Sequence, residues 1–442
     1  MSVPASDPWP TLLARRWGLA LVAAASTATL YAEGVLKNGW IEGLLLLPVG
    51  LYLRAQTQVV RLQNLLVVLT ATCLAVSGLD LALRPVMERR LNYTPLNVSA
   101  HKLPRLPILG RWDARLDLED ELYGDLAALA GDRALREPRR IRFVTDEAGF
   151  RNERVPPQID LLVLGDSFGA GWGTTQDKTY ARLLESRYGR SVYNLSYPGG
   201  PYNQYLDFVI ESPRLGLSPA TRLVWTFYAG NDLDDAGGET WNLSELPWRS
   251  AVGQWAVTYR TFRNRSPLNR LMEGVRLRFG DESNIVLRRA LPDGRPMLFY
   301  ASHEAWGLRA KEEVERHPNF AKLERTLAAM RAALDARGIE AVIVLLPTKG
   351  EVYRWVFEQR RPSPSDAAPS GFAQAVLRAC GRARFRCLDA KPFLVERARR
   401  LYEASGELLW WRDDSHLGER GHEAVADFVA GALGIPALGR KS

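Results

Sequence analysis

The sequence predicts an α/β domain of three layers, a central parallel sheet between two sets of helices, preceded by an N-terminal transmembrane helical region. Three observations predict it. From Gln158 onward, apolar runs of strand length alternate with stretches of helical periodicity, the pattern of a parallel sheet covered on both faces. The first ninety residues instead crowd three apolar segments into about seventy positions. The 442 residues are 46% hydrophobic and 24% charged, an ordinary make-up that excludes global disorder and collagen-like or coiled-coil repeats.

Composition bounds the function as well. Mean hydropathy is −0.18, so the chain is not a polytopic transporter throughout. Three cysteines exclude a disulfide-stapled mini-domain. The net charge of +8 is spread along the chain without a dense Lys/Arg block. It is weak evidence for a polyanion or membrane surface as partner, and nucleic acid is not expected.

Residues 1–90 read as a membrane anchor of two to three helices, with the membrane met through residues 17–83. Trp17 to Ala32 and Leu62 to Leu79 carry no charge and suit a hydrocarbon core of roughly 30 Å. Between them, Trp40 to Leu53 is charge-free only from Gly43, short for a span unless Glu42 sits at the interface. Arg15, Arg16, Arg54 and Arg61 favour three crossings with everything after residue 84 outside. A re-entrant middle segment would leave the large domain in the cytoplasm, and Arg84, Arg89 and Arg90 mildly oppose the outside placement. No cleavable signal is evident. Cys73 falls in an apolar segment. Cys380 and Cys387 are close in sequence, and a disulfide between them would fit an oxidising compartment, although two buried thiols fit equally. The expectation is a bacterial inner membrane protein with its large domain extracytoplasmic (periplasmic), and a membrane protein partner is compatible with that placement.

Residues 91–155 read as a connector, Pro- and Arg-rich at first, with a short helix expected in the run from Asp117 to Leu135. The main domain is expected over 156–435. Its strands are IDLLVLGDS, SVYNLS, RLVWTFYAGND, IEAVIVLLP and FRCLDA, in that order. Residues 235–310 break the rhythm and carry Trp241, Trp248, Trp255, Phe262 and Phe279. They read as an insertion, either a lid or acceptor-binding arm or a structural elaboration.

Four pieces carry chemistry. The first strand ends in Gly165-Asp166-Ser167, the second leads to Gly199-Gly200, the third ends in Gly230-Asn231-Asp232, and Asp413-Asp414-Ser415-His416 lies near the C-terminus. Ligands of parallel α/β sheets sit at the carboxyl ends of strands, where the first three pieces fall. A serine hydroxyl needs a base to become a nucleophile, and histidine is the usual one. The histidine needs an acceptor to fix its tautomer, which an aspartate supplies. The Ser167 N–H, the Gly199 N–H and the Asn231 amide are candidate donors to an oxyanion.

In these four blocks the sequence resembles the SGNH (GDSL) superfamily of hydrolases and acyltransferases, over roughly residues 156–435. The resemblance implies a flavodoxin-like fold, with catalytic Ser167 and His416 and an oxyanion hole from Ser167, Gly199 and Asn231. The aspartate stays open. Asp413 stands three residues before His416, as in the esterases. Asp414 stands two before, as in polysaccharide O-acetyltransferase relatives. Asp413 is preferred and both are kept. Gly149-Phe150-Arg151 and Pro347-Thr348-Lys349 also resemble those relatives, and Leu417 departs from their tryptophan after the histidine. Asp166, Asp232, Arg151 and Lys349 are candidate site-lining residues, with turn-holding as the plainer role for the two aspartates. His422 reads as a packing residue of the closing helix.

Three functions follow. The first is a membrane-anchored serine esterase removing O-acyl, chiefly O-acetyl, groups from an extracytoplasmic glycan. The second is an O-acyltransferase passing the acyl group from Ser167 to a polysaccharide hydroxyl. The third is an inactive domain that binds glycan or an assembly partner. No cofactor is implied, and no metal site is expected from the scattered histidines.

Overall fold

The computed structural model describes residues 102–103, 111–112, 114–236 and 285–438, with a few helical positions between 75 and 83. The chain divides into one unit of Met1–Arg89 with Thr258–Met272 and a second of Arg90–Val257 with Glu273–Ser442. The central sheet lies in the second unit. Among the described residues no helix is long and apolar enough to cross a membrane. The apolar segments 17–32 and 40–53, and nearly all of 62–79, lie outside the described residues, as do the aromatics Trp241 to Phe279.

In chain order, a two-residue antiparallel contact of Lys102–Leu103 with Arg111–Trp112 is followed by the antiparallel pair β1 (Asp117–Leu122) and β2 (Arg139–Val144), with the short helix α1 (Asp125–Leu129) between them. The run from Asp117 to Leu135 is therefore strand before it is helix. The reason is long-range charge pairing: Glu119 and Glu121 stand opposite Arg142 and Arg140 across the ladder, and such pairs override helical preference.

The sheet then begins with β3 (Leu161–Leu164), followed by α2 (Ser167–Ala170), α3 (Tyr180–Tyr188), β4 (Val192–Asn194), α4 (Pro201–Glu211), β5 (Arg222–Tyr228) and α5 (Asp232–Asp235). After residue 285 come a hairpin, β6 (Val286–Ala290) and β7 (Pro296–Tyr300), and α6 (Ala301–Leu308). Met297, Leu298 and Phe299 are buried, so this end of the expected insertion belongs to the core. The chain closes with α7 (Phe320–Asp335), β8 (Glu340–Leu346), α8 (Lys349–Val352), α9 (Gly371–Arg382), β9 (Arg386–Asp389), α10 (Lys391–Ser405) and α11 (Glu419–Ala432).

The five expected strands form one sheet in the order β9-β8-β5-β3-β4, all parallel. Numbered by their place in the chain, that is the doubly wound order 2-1-3-4-5 of flavodoxin-like folds, which reverses between β3 and β5. Successive β3 residues alternate faces. Leu161 and Val163 pack with Leu184, Leu394 and Val425 of α3, α10 and α11. Leu162 and Leu164 pack with Phe208, Leu327 and Val376 of α4, α7 and α9. Cys380 and Cys387 are joined as a disulfide, tying α9 to β9.

Candidate active site

Ser167 stands where strand becomes helix, and the local sequence forces the turn. A Cβ on Gly165 would lie 2.1 Å from Thr226 Oγ1 on the adjacent β5. Asp166 caps α2 by accepting from the Phe168 N–H at 2.9 Å. Gly171 then ends the helix in the left-handed region at φ +74°, which glycine adopts at little cost. The second block is sewn to the first: Tyr197 N–H donates to Gly165 O at 3.0 Å, and Asn194 Nδ2 donates to Gly169 O at 3.0 Å. At the end of β5, Asp232 accepts from Tyr228 N–H at 2.7 Å. Asn231 Nδ2 donates to Asp235 Oδ2 at 2.9 Å. A Cβ on Gly200 would meet the Asp235 backbone at 2.5 Å, so the Gly199-Gly200 loop abuts the Asn231 loop. These ends flank the point where strand order reverses, the expected place for a ligand.

The C-terminal block arrives on an irregular loop before α11. His416 Nε2 lies 3.0 Å from Ser167 Oγ, and His416 Nδ1 lies 2.8 Å from Asp414 Oδ1. Asp414 also accepts from the His416 N–H at 3.1 Å and from Arg139. Asp413, preferred from its spacing, does not touch the imidazole. Its carboxylate accepts from the Gly124 and Glu137 N–H groups at 2.7 and 2.8 Å and from Arg139 at 2.9 Å. Both carboxylates are fully buried. Arg139, on β2, bridges them, and so the connector forms one wall of the site.

Electrostatics follow from that packing. Burial disfavours the charge on His416, but the hydrogen bond and charge of Asp414, together with Asp125 and Asp166, outweigh it and raise the imidazole above its ordinary value. Burial likewise opposes charge on Asp414, yet His416 and Arg139 hold its carboxyl well below the usual carboxylate range. Burial pushes Asp166 up to about 6 and raises Asp232 well above normal.

The candidate lining residues divide. Asp166 and Asp232 are buried and hold the turns described above. Arg151 is buried behind α2, donating to the carbonyls of Ala170, Gly171 and Thr174, and so fixes the helix end from the rear. Lys349 is buried beneath the histidine loop. Its Nζ donates to the carbonyls of Leu298 and Trp411 at 2.7 Å, Asp414 at 2.9 Å and Arg412 at 3.2 Å. His422 lies on α11 and accepts from the Tyr180 N–H at 3.3 Å. Phe168 and Tyr228, both buried, stack with ring centroids 3.9 Å apart, and the Tyr228 hydroxyl lies 3.3 Å from His303 Nδ1.

Sequence reasoning missed Asp125, Glu137 and Arg139. No motif marks them, and only the pairing of β1 with β2 brings them to the loop. Asp125, Asp414 and His416 converge to within 4.8 Å of one another in their potential metal-ligating atoms. Each of the three side chains is already engaged by hydrogen bonds to its neighbours.

Comparison with known proteins meets this geometry at its C-terminal half. Residues 294–439 match the family model described as SGNH hydrolase-like domain, acetyltransferase AlgX. The SGNH resemblance read from the four blocks is thereby borne out, and the match includes Lys349, Asp413, Asp414 and His416. The Ser167, Gly199 and Asn231 blocks precede the matched residues, and the sheet joins them to the SGNH region through the β5–β8 and β3–β5 ladders. No curated protein matches the sequence. Among solved structures, one crystal structure aligns over 64% of this chain and 98% of its own at 14% identity, with a TM-score of 0.28. A likeness so slight carries no argument.

Proposed function

We propose that this protein transfers O-acyl groups, acetyl above all, on a polysaccharide through an acyl-Ser167 intermediate. The observation that carries the reading is the continuous relay from Ser167 Oγ to His416 Nε2 at 3.0 Å and from His416 Nδ1 to Asp414 at 2.8 Å. Ser167 Oγ attacks the acyl carbonyl as its proton passes to His416, and the ionised Asp414 stabilises the imidazolium. The Ser167 and Gly199 N–H groups receive the oxyanion, with the second N–H of the Asn231 amide, since only one is given to Asp235. His416 then protonates the leaving oxygen. In the second half-reaction it accepts the proton of a sugar hydroxyl, which attacks the acyl carbonyl, and returns that proton to Ser167 Oγ as the acyl–Oγ bond breaks.

The acetyltransferase description of the matching family supports a sugar hydroxyl as acceptor. A groove of about 910 Å³ lined by Trp411, Arg295, Arg420 and Glu407 meets the histidine loop only at its two ends, Arg412 and Gly418, and is lined by none of Ser167, Asp414 and His416. Where water takes the acyl group instead, the same steps make an esterase. The relay favours activity over an inactive binding domain. The apolar N-terminal segments and the Cys380–Cys387 disulfide support a membrane-anchored enzyme whose domain faces an oxidising compartment.

The test is direct. A fluorophosphonate probe should label Ser167, and Ser167→Ala should abolish p-nitrophenyl acetate turnover. Full turnover in that variant sinks the proposal. Adding polysaccharide acceptors and measuring acylated glycan against free acetate separates transfer from hydrolysis.

A further inference from the structure

The connector contributes one more charged group to this site. Asp125 opens α1 and follows Gly124, the residue whose N–H binds Asp413. Its Oδ1 accepts from the Ser415 N–H at 2.7 Å, and its Oδ2 accepts from the Ser415 hydroxyl at 2.5 Å. The same Oδ2 lies 3.8 Å from His416 Nδ1, and the Ser415 hydroxyl lies 3.3 Å from that nitrogen. The side chain is 17% exposed, so it is well screened from water without being sealed. The carbonyl of Asp413 accepts from Ala127 N–H at 3.0 Å, which fixes the start of α1 against the loop. A Cβ on Gly124 would lie 1.8 Å from that same carbonyl, so the approach tolerates only glycine there.

We propose that Asp125 is a positioning residue for His416: it locks Ser415 by two hydrogen bonds and sets a second carboxylate beside Nδ1. The proposal rests on the acyl-transfer reading for its purpose, but the coupling itself is a property of the loop. A relay with one aspartate has one anchor for the imidazole ring. Here Asp414 orients Nδ1 from one side, and Asp125 holds the preceding residue from the other. The ring plane is therefore fixed before substrate arrives.

Other charged and titratable groups face this pair. Asp414 and Asp413 come from the loop itself, Asp166 from the turn before α2, and Arg139 from β2. Lys349 of α8, His303 of α6 and His422 of α11 complete the surroundings. Asp125 is the nearest carboxylate to His416 Nδ1 after Asp414, and burial raises its own carboxyl to about 7.

The experiment follows the imidazole directly. The full chain is labelled with ¹³C-histidine, and His416 is assigned among five histidines by the loss of its signal in His416→Gln. Its titration midpoint is then compared between wild type, Asp125→Asn and Asp125→Glu. Removing the nearby negative charge should lower the midpoint by about one pH unit in Asp125→Asn. Asp125→Glu keeps the charge and should keep the midpoint, while slowing fluorophosphonate labelling of Ser167 several-fold by displacing Ser415. An unchanged midpoint in Asp125→Asn overturns the coupling. Wild-type labelling in Asp125→Glu overturns the positioning role, and that variant serves alone if Asp125→Asn does not fold. Wild-type protein in which His416 titrates normally but Ser167 is never labelled overturns acyl transfer and leaves the coupling standing.

Discussion

The two halves of the candidate site are held in different ways. The serine half is local. Gly165, Asp166 and Ser167 are successive residues, and the turn that exposes the hydroxyl is set by a tight glycine, an N-cap and the end of a buried strand, with Asn194, Tyr197 and Arg151 bonded to it from neighbouring segments. The histidine half is assembled from distance. Asp413 binds Gly124, 289 positions earlier, and Arg139 reaches it across 274. Lys349 draws in four carbonyls from below. A nucleophile can be placed by the strand it ends. A base on an irregular loop has no such support and must be tied down by buried ions.

That contrast can be broken by mutation. The largest effect should come from the chemistry shared by both halves: Ser167→Ala or His416→Ala should lower kcat by about 10⁴-fold or more, with little change in Tm. Retention of turnover within tenfold would separate the serine from the reaction. Next, Arg139→Met leaves Asp413 and Asp414 buried without their cation and should cost about 3–5 kcal/mol of stability, read as the midpoint of urea unfolding. The two aspartates should then part company. Asp414→Asn should cost several orders of magnitude in kcat through the wrong imidazole tautomer, whereas Asp413→Asn should act chiefly on stability.

Smaller effects sharpen the picture. His416 must be neutral to accept a proton, and its pKa is raised above 6.5. The acid limb of the kcat/KM profile should therefore lie above the ordinary histidine value, with activity lost as pH falls through it. A limb below 6.5 would contradict the carboxylate environment. Reduction of Cys380–Cys387, far from the relay in the fold, should cost about 2 kcal/mol of stability and leave kcat unchanged.

The same contrast explains what could be read from the sequence. All five sheet strands were legible: four are apolar runs bounded by turn residues and buried on both faces, and the fifth, β9, is a short edge strand that is only half-buried. Ser167, Gly199, Asn231 and His416 were legible as blocks for the same reason of local pattern. The choice between Asp413 and Asp414 was not. Both spacings are compatible with an imidazole, and the choice is made by amides at Gly124 and Glu137 that no motif announces. The short helix expected in the run from Asp117 to Leu135 is α1, but the strand before it was not legible, since its acidic residues become strand only when Arg140 and Arg142 lie opposite. Information carried by one segment about another, far along the chain, leaves no periodic trace in either.

The β1–α1–β2 region has a practical consequence for anyone who would trim this protein. Shortening the chain to begin at residue 156 would retain every strand of the central sheet and both the hydroxyl and the imidazole. It would also strip away Gly124, Asp125, Glu137 and Arg139, leaving two adjacent carboxylates facing empty space. Such a fragment would also lose Phe150 from the core and Arg151 from behind α2, so it should be destabilised as well as catalytically dead, a failure easily mistaken for a missing substrate. Starting upstream of Trp112 keeps the scaffold of the base intact.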